Sequence, residues 1–282
     1  MTRSRSAMKK TLHFLEGLDQ DLQAGLLRQL KIEWTHHSTG LEGNTLSLGE
    51  TEYVLTQGLT IDGKPLKDHN EVMGHGRAVD WIVAYAVYGR EPMRFDDLFD
   101  LHRLVQTEAV IDSFQPMGAW KIEPNGTMSR DAQGNAVFTE FAPPQSVAFL
   151  MGQWLEEMNA ALLHVVDEDN APAVFCSLHT GFTAIHPFFD GNGRMARLLA
   201  NLPLLRSGLP PIVIKRSYAV RERYIALLQA IQRALGTFSK DNAPLPIASE
   251  VLYPLTVFCG EQWAGALELV KAAHRQQKAR SA

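Results

Sequence analysis

The chain has 282 residues, 27 Lys and Arg against 31 Asp and Glu, a formal charge of −4 at pH 7 and 45% hydrophobic residues. That balance excludes disordered, collagen-like and low-complexity classes, allows a sizeable core, and argues against a nucleic-acid surface as the main function. Two cysteines, Cys176 and Cys259, are too few for a disulfide framework and lie in apolar stretches that predict buried, reduced thiols.

The first residues are basic (Arg3, Arg5, Lys9, Lys10), but Glu16, Asp19 and Asp21 follow at once, so no signal-peptide apolar region develops. The longest apolar run, 81–88, falls far short of the roughly 18 residues that span a bilayer, so no membrane association is expected and the expected compartment is the cytoplasm. From Thr11, the spacing of Leu15, Leu18, Leu22, Leu26 and Leu30 predicts an amphipathic helix, with a break at Thr35-His36-His37-Ser38. Helices are expected over 45–57 and 71–88, joined by a turn cluster at 58–65, and over 95–106, where Asp96 and Asp97 suit the first turn. Residues 120–141 carry Asn125-Gly126, Gly134-Asn135 and the alternating Val137 to Phe141 pattern, a β-hairpin with its turn near 130–135. Helices resume over 146–163, 172–185, about 193–205, 220–235 and 249–273, with the basic 271–280 tail as a solvated helix end. The fold class is therefore all-α: a single helical domain with one hairpin.

The segment richest in chemistry is His186-Pro187-Phe188-Phe189-Asp190-Gly191-Asn192-Gly193-Arg194-Met195-Ala196-Arg197. Pro187 stops the preceding helix. Gly191 and Gly193 allow backbone N–H groups to converge, and a new helix N-terminus adds its positive end. Arg194 and Arg197 follow within a turn, so phosphate is the natural guest. Asp190 at the rim would repel a phosphate unless a divalent ion such as Mg²⁺ joins them. His186, four residues earlier, can take a proton near neutral pH. Together these describe transfer of a phosphorus-centred group to a nucleophile.

Residues 186–197 resemble the Fic (filamentation induced by cAMP) motif, His-x-Phe-x-(Asp/Glu)-Gly-Asn-Gly-Arg-x-x-Arg, at every specified position. The resemblance implies the Fic fold, a helical bundle core with a hairpin flap, and transfer of AMP from ATP to a Ser, Thr or Tyr hydroxyl of a protein. It implies His186 as general base, Asp190 as the Mg²⁺ ligand, and Gly191, Asn192 and Gly193 as the anion hole. Arg194 would bind the β-phosphate region and Arg197 the γ-phosphate. Upstream, Ser38-Thr39-Gly40-Leu41-Glu42-Gly43 resembles the family's inhibitory signature, which implies that Glu42 pairs with Arg197. Read by spacing alone, the same residues are a common helix-capping arrangement.

The resemblance covers about 35–240, with an N-terminal helical segment at 1–34 and a C-terminal helical extension at 241–282. It implies that the 120–141 flap pairs with a target protein, that Thr127 and Met128 line the nucleotide, and that Tyr224 sits near the adenine, its alternative being a half-buried core aromatic. Where many relatives have an Asn, the chain offers Gln232. His179 is expected to be a packed core residue rather than a metal ligand, and family precedent extends to a homodimer. Three alternatives stay open: an AMP-removing phosphodiesterase or bifunctional enzyme, a non-catalytic nucleotide-binding module, and a donor other than ATP. The target and the modified side chain are not legible.

Overall fold

The computed structural model describes residues 12–89, 91–107, 115–130 and 134–281. The basic N-terminus and Thr11, as well as the hairpin tip at 131–133, lie outside the described residues. A 3-10 turn, His13–Leu15, precedes ten helices and one hairpin among the described residues. They are α1 Gln20–Leu41, α2 Leu48–Gln57, α3 Leu66–Tyr88, α4 Phe95–Val105, β1 Gly126–Arg130, β2 Ala136–Glu140, α5 Pro144–Leu163, α6 Ala171–Ile185, α7 Asn192–Leu199, α8 Leu202–Arg206, α9 Tyr218–Leu235 and α10 Ser249–Ser281.

The boundaries follow local chemistry. Ser47 and Glu50 close a reciprocal capping box on α2, and Gly58 ends that helix at φ 67°. Pro65 precedes α3, which starts five residues earlier than the periodicity predicts. In α5, Val147, Leu150, Met151, Trp154, Met158 and Leu162 bury one stripe. α6 is buried almost all round, through Phe175, Cys176, Leu178, Phe182 and Ile185, because α5, α7 and α10 all pack on it. It is the central post of the core. Both cysteines are free and buried, as their apolar context predicts.

Three expectations fail. The helix expected from Thr11 begins only at Gln20, after the 3-10 turn and Gly17 at φ 78°. The predicted break at 35–38 does not exist: α1 runs through it to Leu41. Each polar side chain there has a tertiary or same-face partner instead of a turn. Thr35 meets His75 Nδ1 at 3.2 Å, His36 Nδ1 meets Thr51 Oγ1 at 3.3 Å, and His37 pairs with Glu33 at 3.2 Å. The helix expected over 193–205 is two pieces, α7 and α8. Asn201 makes the joint: its carboxamide donates to Arg197 O and Ile212 O, both at 3.0 Å, and accepts from Ile212 N at 2.7 Å, while Pro203 cannot continue the α7 ladder. α10 also extends past 273 to Ser281, its end tied back by Arg280 to Asp21 at 2.7 and 2.8 Å.

The hairpin is antiparallel, with Thr127 opposite Thr139 and Met128 opposite Phe138. No helix among the described residues is long and apolar enough to cross a membrane.

Candidate active site

α6 ends at His186, which takes a left-handed conformation (φ 53°, ψ 60°) and is the one described non-glycine residue with positive φ. The strained backbone turns its partly buried imidazole out of the helix and under the hairpin exit, where it stacks on Phe141 with centroids 3.8 Å apart and planes 3° apart. Nδ1 lies 3.2 Å from Thr183 O. A carbonyl only accepts, so Nδ1 carries the proton and Nε2 keeps its lone pair. Burial, reinforced by the Lys121 charge, lowers the imidazole pKa to about 4 against the pull of Thr183 O, Glu42 and Asp190. His186 is thus a neutral base at pH 7.

The loop after it is rigidly braced. Phe188 is fully buried and stacks on His102, centroids 3.9 Å apart. The Asn192 carboxamide accepts from Phe188 N at 2.9 Å and donates to Phe188 O at 2.8 Å. Its side chain therefore shapes the loop, and only its main-chain N–H remains for an anion. Gly191 (φ 78°) caps α7, whose first-turn N–H groups have no carbonyl within the helix. His102 accepts from Gly118 N at 2.9 Å, so its Nε2–H donates to Asp190 O at 3.1 Å; burial holds this ring near pKa 4 and keeps it neutral.

The Asp190 carboxylate accepts from Arg194 Nη2 and Gln106 Nε2 through Oδ2, both at 3.3 Å. Burial raises its pKa, but the Arg194 charge, the Gly191 N–H, the Gln106 carboxamide and the Lys67 charge together outweigh that and leave it below the usual aspartate value. The side chain is 54% exposed, which fits a cation held by one carboxylate plus phosphates and water. Among the described residues no group of three His, Cys, Asp or Glu forms a metal cluster. Arg194 is 3% exposed; it also donates to Val105 O at 3.3 Å and Gln106 Oε1 at 3.1 Å, while its buried Nε has no partner among the described residues.

Arg197, also 3% exposed, is gripped from α1. Its Nε donates to Ser38 Oγ at 3.1 Å, and its Nη2 donates to Ser38 O at 2.9 Å and Glu42 Oε1 at 2.6 Å. Glu42 caps the C-terminal end of α1, and Gly43 turns the chain away at φ 99°. The capping alternative for Ser38 and Glu42 is therefore overturned: they end a helix rather than begin one. A Cβ on Gly193 would press into the Glu42 carboxylate, so this glycine leaves room for an anion against the α7 N-terminus.

Of these groups, Glu42, His186, Gly193 and Arg197 face a cavity of about 290 Å³ between α6, α7, α9 and the hairpin, whereas Asp190, Gly191, Asn192 and Arg194 do not line it. Glu42, Thr127, His186, Gly193, Arg197, Tyr224 and Gln232 line it. Met128 does not. It is 60% exposed with Phe138, because successive strand residues alternate faces and Thr127 takes the inner one. Tyr224 is buried, its hydroxyl 2.7 Å from His179 Nε2 and beside the Arg197 guanidinium. It presents its ring to the cavity wall while its tip faces an arginine. His179 is the expected core residue, fully buried. Sequence reading missed His102, Gln106, Lys121 and Asn125 as parts of the site; single polar residues outside a motif carry no spacing signal.

Residues 92–204 match the Fic/DOC family. A protein adenylyltransferase Fic from Culex quinquefasciatus is 30% identical over 263 residues, covering 87% of this chain and 48% of its own length. One from Nematostella vectensis is 31% identical over 238 residues, covering 81% of this chain and 52% of its own. The chain thus spans about half the length of these curated relatives. Among solved structures, a Fic domain containing signaling protein from Bacteroides thetaiotaomicron superposes with a TM-score of 0.78 at 27% identity over 92% of both chains. Fic-1 from Caenorhabditis elegans gives 0.66 at 26% identity, covering 93% of this chain and 69% of its own.

Proposed function

The chain belongs to the Fic/DOC family through residues 92–204, and on that premise we propose that it is a protein adenylyltransferase restrained by its own Glu42. The observation that carries the reading is one cavity holding a neutral imidazole, a helix N-terminus, and a buried arginine that a carboxylate already occupies. His186 Nε2 removes the proton from an incoming Ser, Thr or Tyr hydroxyl. The oxygen bonds to the α-phosphorus of ATP as the bond to the β-bridging oxygen breaks, and pyrophosphate leaves. The α7 N–H groups, and Arg197 once Glu42 releases it, supply positive charge for the charge that develops, with Arg194 beside Asp190 at the same helix end. Asp190 is the residue that would hold Mg²⁺, which supplies charge neutralisation between the phosphates.

In this reading Glu42 competes with the terminal phosphate for Arg197, a carboxylate matching a guanidinium as well as a phosphate does. The target chain lies along the hairpin, whose outer face offers Met128 and Phe138, 60% and 59% exposed. AMP removal is the second reading, favoured by Glu42 and His186 lining the same cavity, where the carboxylate could orient water.

Labelled ATP with Mg²⁺ tests the proposal. Glu42→Gly is expected to raise self-labelling at least about tenfold, the loss of one charge-assisted pair, and His186→Ala in that background to abolish it. Equal labelling by native chain and Glu42→Gly would remove the inhibitory assignment; label released from a modified protein faster by the native chain would favour the second reading.

A further inference from the structure

Lys121 is 2% exposed and carries an ammonium into the protein interior with no contacting carboxylate among the described residues. Burial lowers its pKa to about 8, Glu140 being the nearby opposing charge, so it is still mostly protonated at pH 7. Burying a charge against one neutral amide is costly, and an apolar side chain would fill the space more cheaply. What the ammonium touches explains its presence. Its Nζ donates to Asn125 Oδ1, and its main-chain N–H donates to Pro187 O at 2.9 Å.

An ammonium has no acceptor, so it can face only the oxygen of that carboxamide and dictates which way the amide points. The NH₂ is then turned onto the loop after the base, 3.0 Å from Phe188 O and 3.5 Å from Phe189 O. The main-chain carbonyl of Asn125 receives Phe141 N–H at 3.0 Å, and Phe141 is the ring stacked on His186. One lysine thus ties together the backbone after the imidazole and the ring lying on its face.

We propose that Lys121 is a positioning residue for His186, locking Asn125 so that the 187–189 backbone and Phe141 hold the imidazole in its transfer-competent place. Its charge acts in the same sense. Beyond burial, the Lys121 charge disfavours the imidazolium while Glu42 and Asp190 favour it; Arg197 lines the same cavity, paired with Glu42. The consequence for AMP transfer rests on His186 being the base, whereas the clamp does not.

Three substitutions separate the parts. Lys121→Met removes charge and donor, Lys121→Gln removes charge but keeps a donor for Asn125, and Lys121→Arg keeps both. Ring resonances of His186, followed by NMR during a pH titration of the nucleotide-free chain, report the imidazole without any turnover. The expected result is a titration about one unit higher in Lys121→Met and Lys121→Gln than in the parent, and unchanged in Lys121→Arg. In the Glu42→Gly background at pH 7, self-labelling should fall about tenfold or more in Lys121→Met, less in Lys121→Gln, and recover in Lys121→Arg, with KM for ATP little changed. An unshifted His186 titration in the neutral variants would reduce Lys121 to core filling and overturn the proposal. If Lys121→Met does not fold, Lys121→Gln decides the same point. If the Glu42→Gly parent transfers no label, the functional reading fails while the titration still judges the clamp.

Discussion

A base is useful only while unprotonated, and His186 is kept so by two separate means. The carbonyl of Thr183 takes the Nδ1 proton, which leaves Nε2 open. Burial, with Lys121, then lowers the pKa to about 4. Its folded value lies below the ordinary 6.5, so the active form is complete above 6.5 and lost only as pH falls through about 4. The rate of AMP transfer by the Glu42→Gly chain is therefore expected to stay level from pH 7 to about 5 and drop near 4. A half-maximal point at 6.5 would mean that the imidazole is solvated rather than sequestered. Residue identity alone suggests a group poised at neutral pH; the environment moves it more than two units.

At the scale of elements, the decisive feature is the length of α1. Had it broken at Thr35, Ser38 and Glu42 could not stand one turn apart on the face that meets α7. Its continuation brings both onto Arg197, 159 and 155 residues away in sequence. The segment that follows is held from behind, since Arg216 Nη1 donates to Leu46 O at 2.8 Å and its side chain packs over Gly40, where a Cβ would strike it. Arg221 Nε also donates to Leu41 O at 3.0 Å, a favourable charge at the C-terminal end of a helix. Replacing Arg216 with Ala removes a fastening that touches neither His186 nor the Arg197 guanidinium. A bond of about 1 kcal/mol corresponds to a roughly fivefold larger released population. Self-labelling of Arg216→Ala should rise by about that factor, and by less than in Glu42→Gly. No rise would show that the loop is held by Glu42 alone.

For the whole molecule, the buried histidines set an acid limit on stability. His36 and His102 have pKa values near 4, His179 near 3, each lowered first by burial, and His75 lies well below 6.5 for the same reason. Unfolded, all would titrate near 6.5. Below that pH the unfolded chain binds protons that the folded one refuses, so stability present above 6.5 is lost as pH falls toward 4 and 3. Asp190 and Glu33, with pKa values lowered in the fold, act in the same sense at still lower pH, while Glu157, raised by burial, acts oppositely. The urea midpoint followed by circular dichroism should be level between pH 7 and 8 and decline steadily from about 6 to 4. A midpoint unchanged down to pH 4 would mean that these rings accept protons in place.

What the sequence determined by itself was whatever depends on near neighbours. Turn chemistry located the hairpin and the His186 to Arg197 loop, and apolar periodicity located most helices, because glycine and proline sterics and side-chain spacing act over a few residues. The Glu42–Arg197 pair came only by resemblance, since spacing read the same residues as a cap. Tertiary structure decided the rest. It carried α1 through four polar residues by giving them partners, turned Thr127 inward and Met128 outward by strand alternation, and aimed the Tyr224 hydroxyl at Arg197. It also recruited His102, Gln106, Lys121 and Asn125, whose roles exist only because packing sets them against a loop 63 to 88 residues away. Such contacts have no local period, so no window along the chain can contain them.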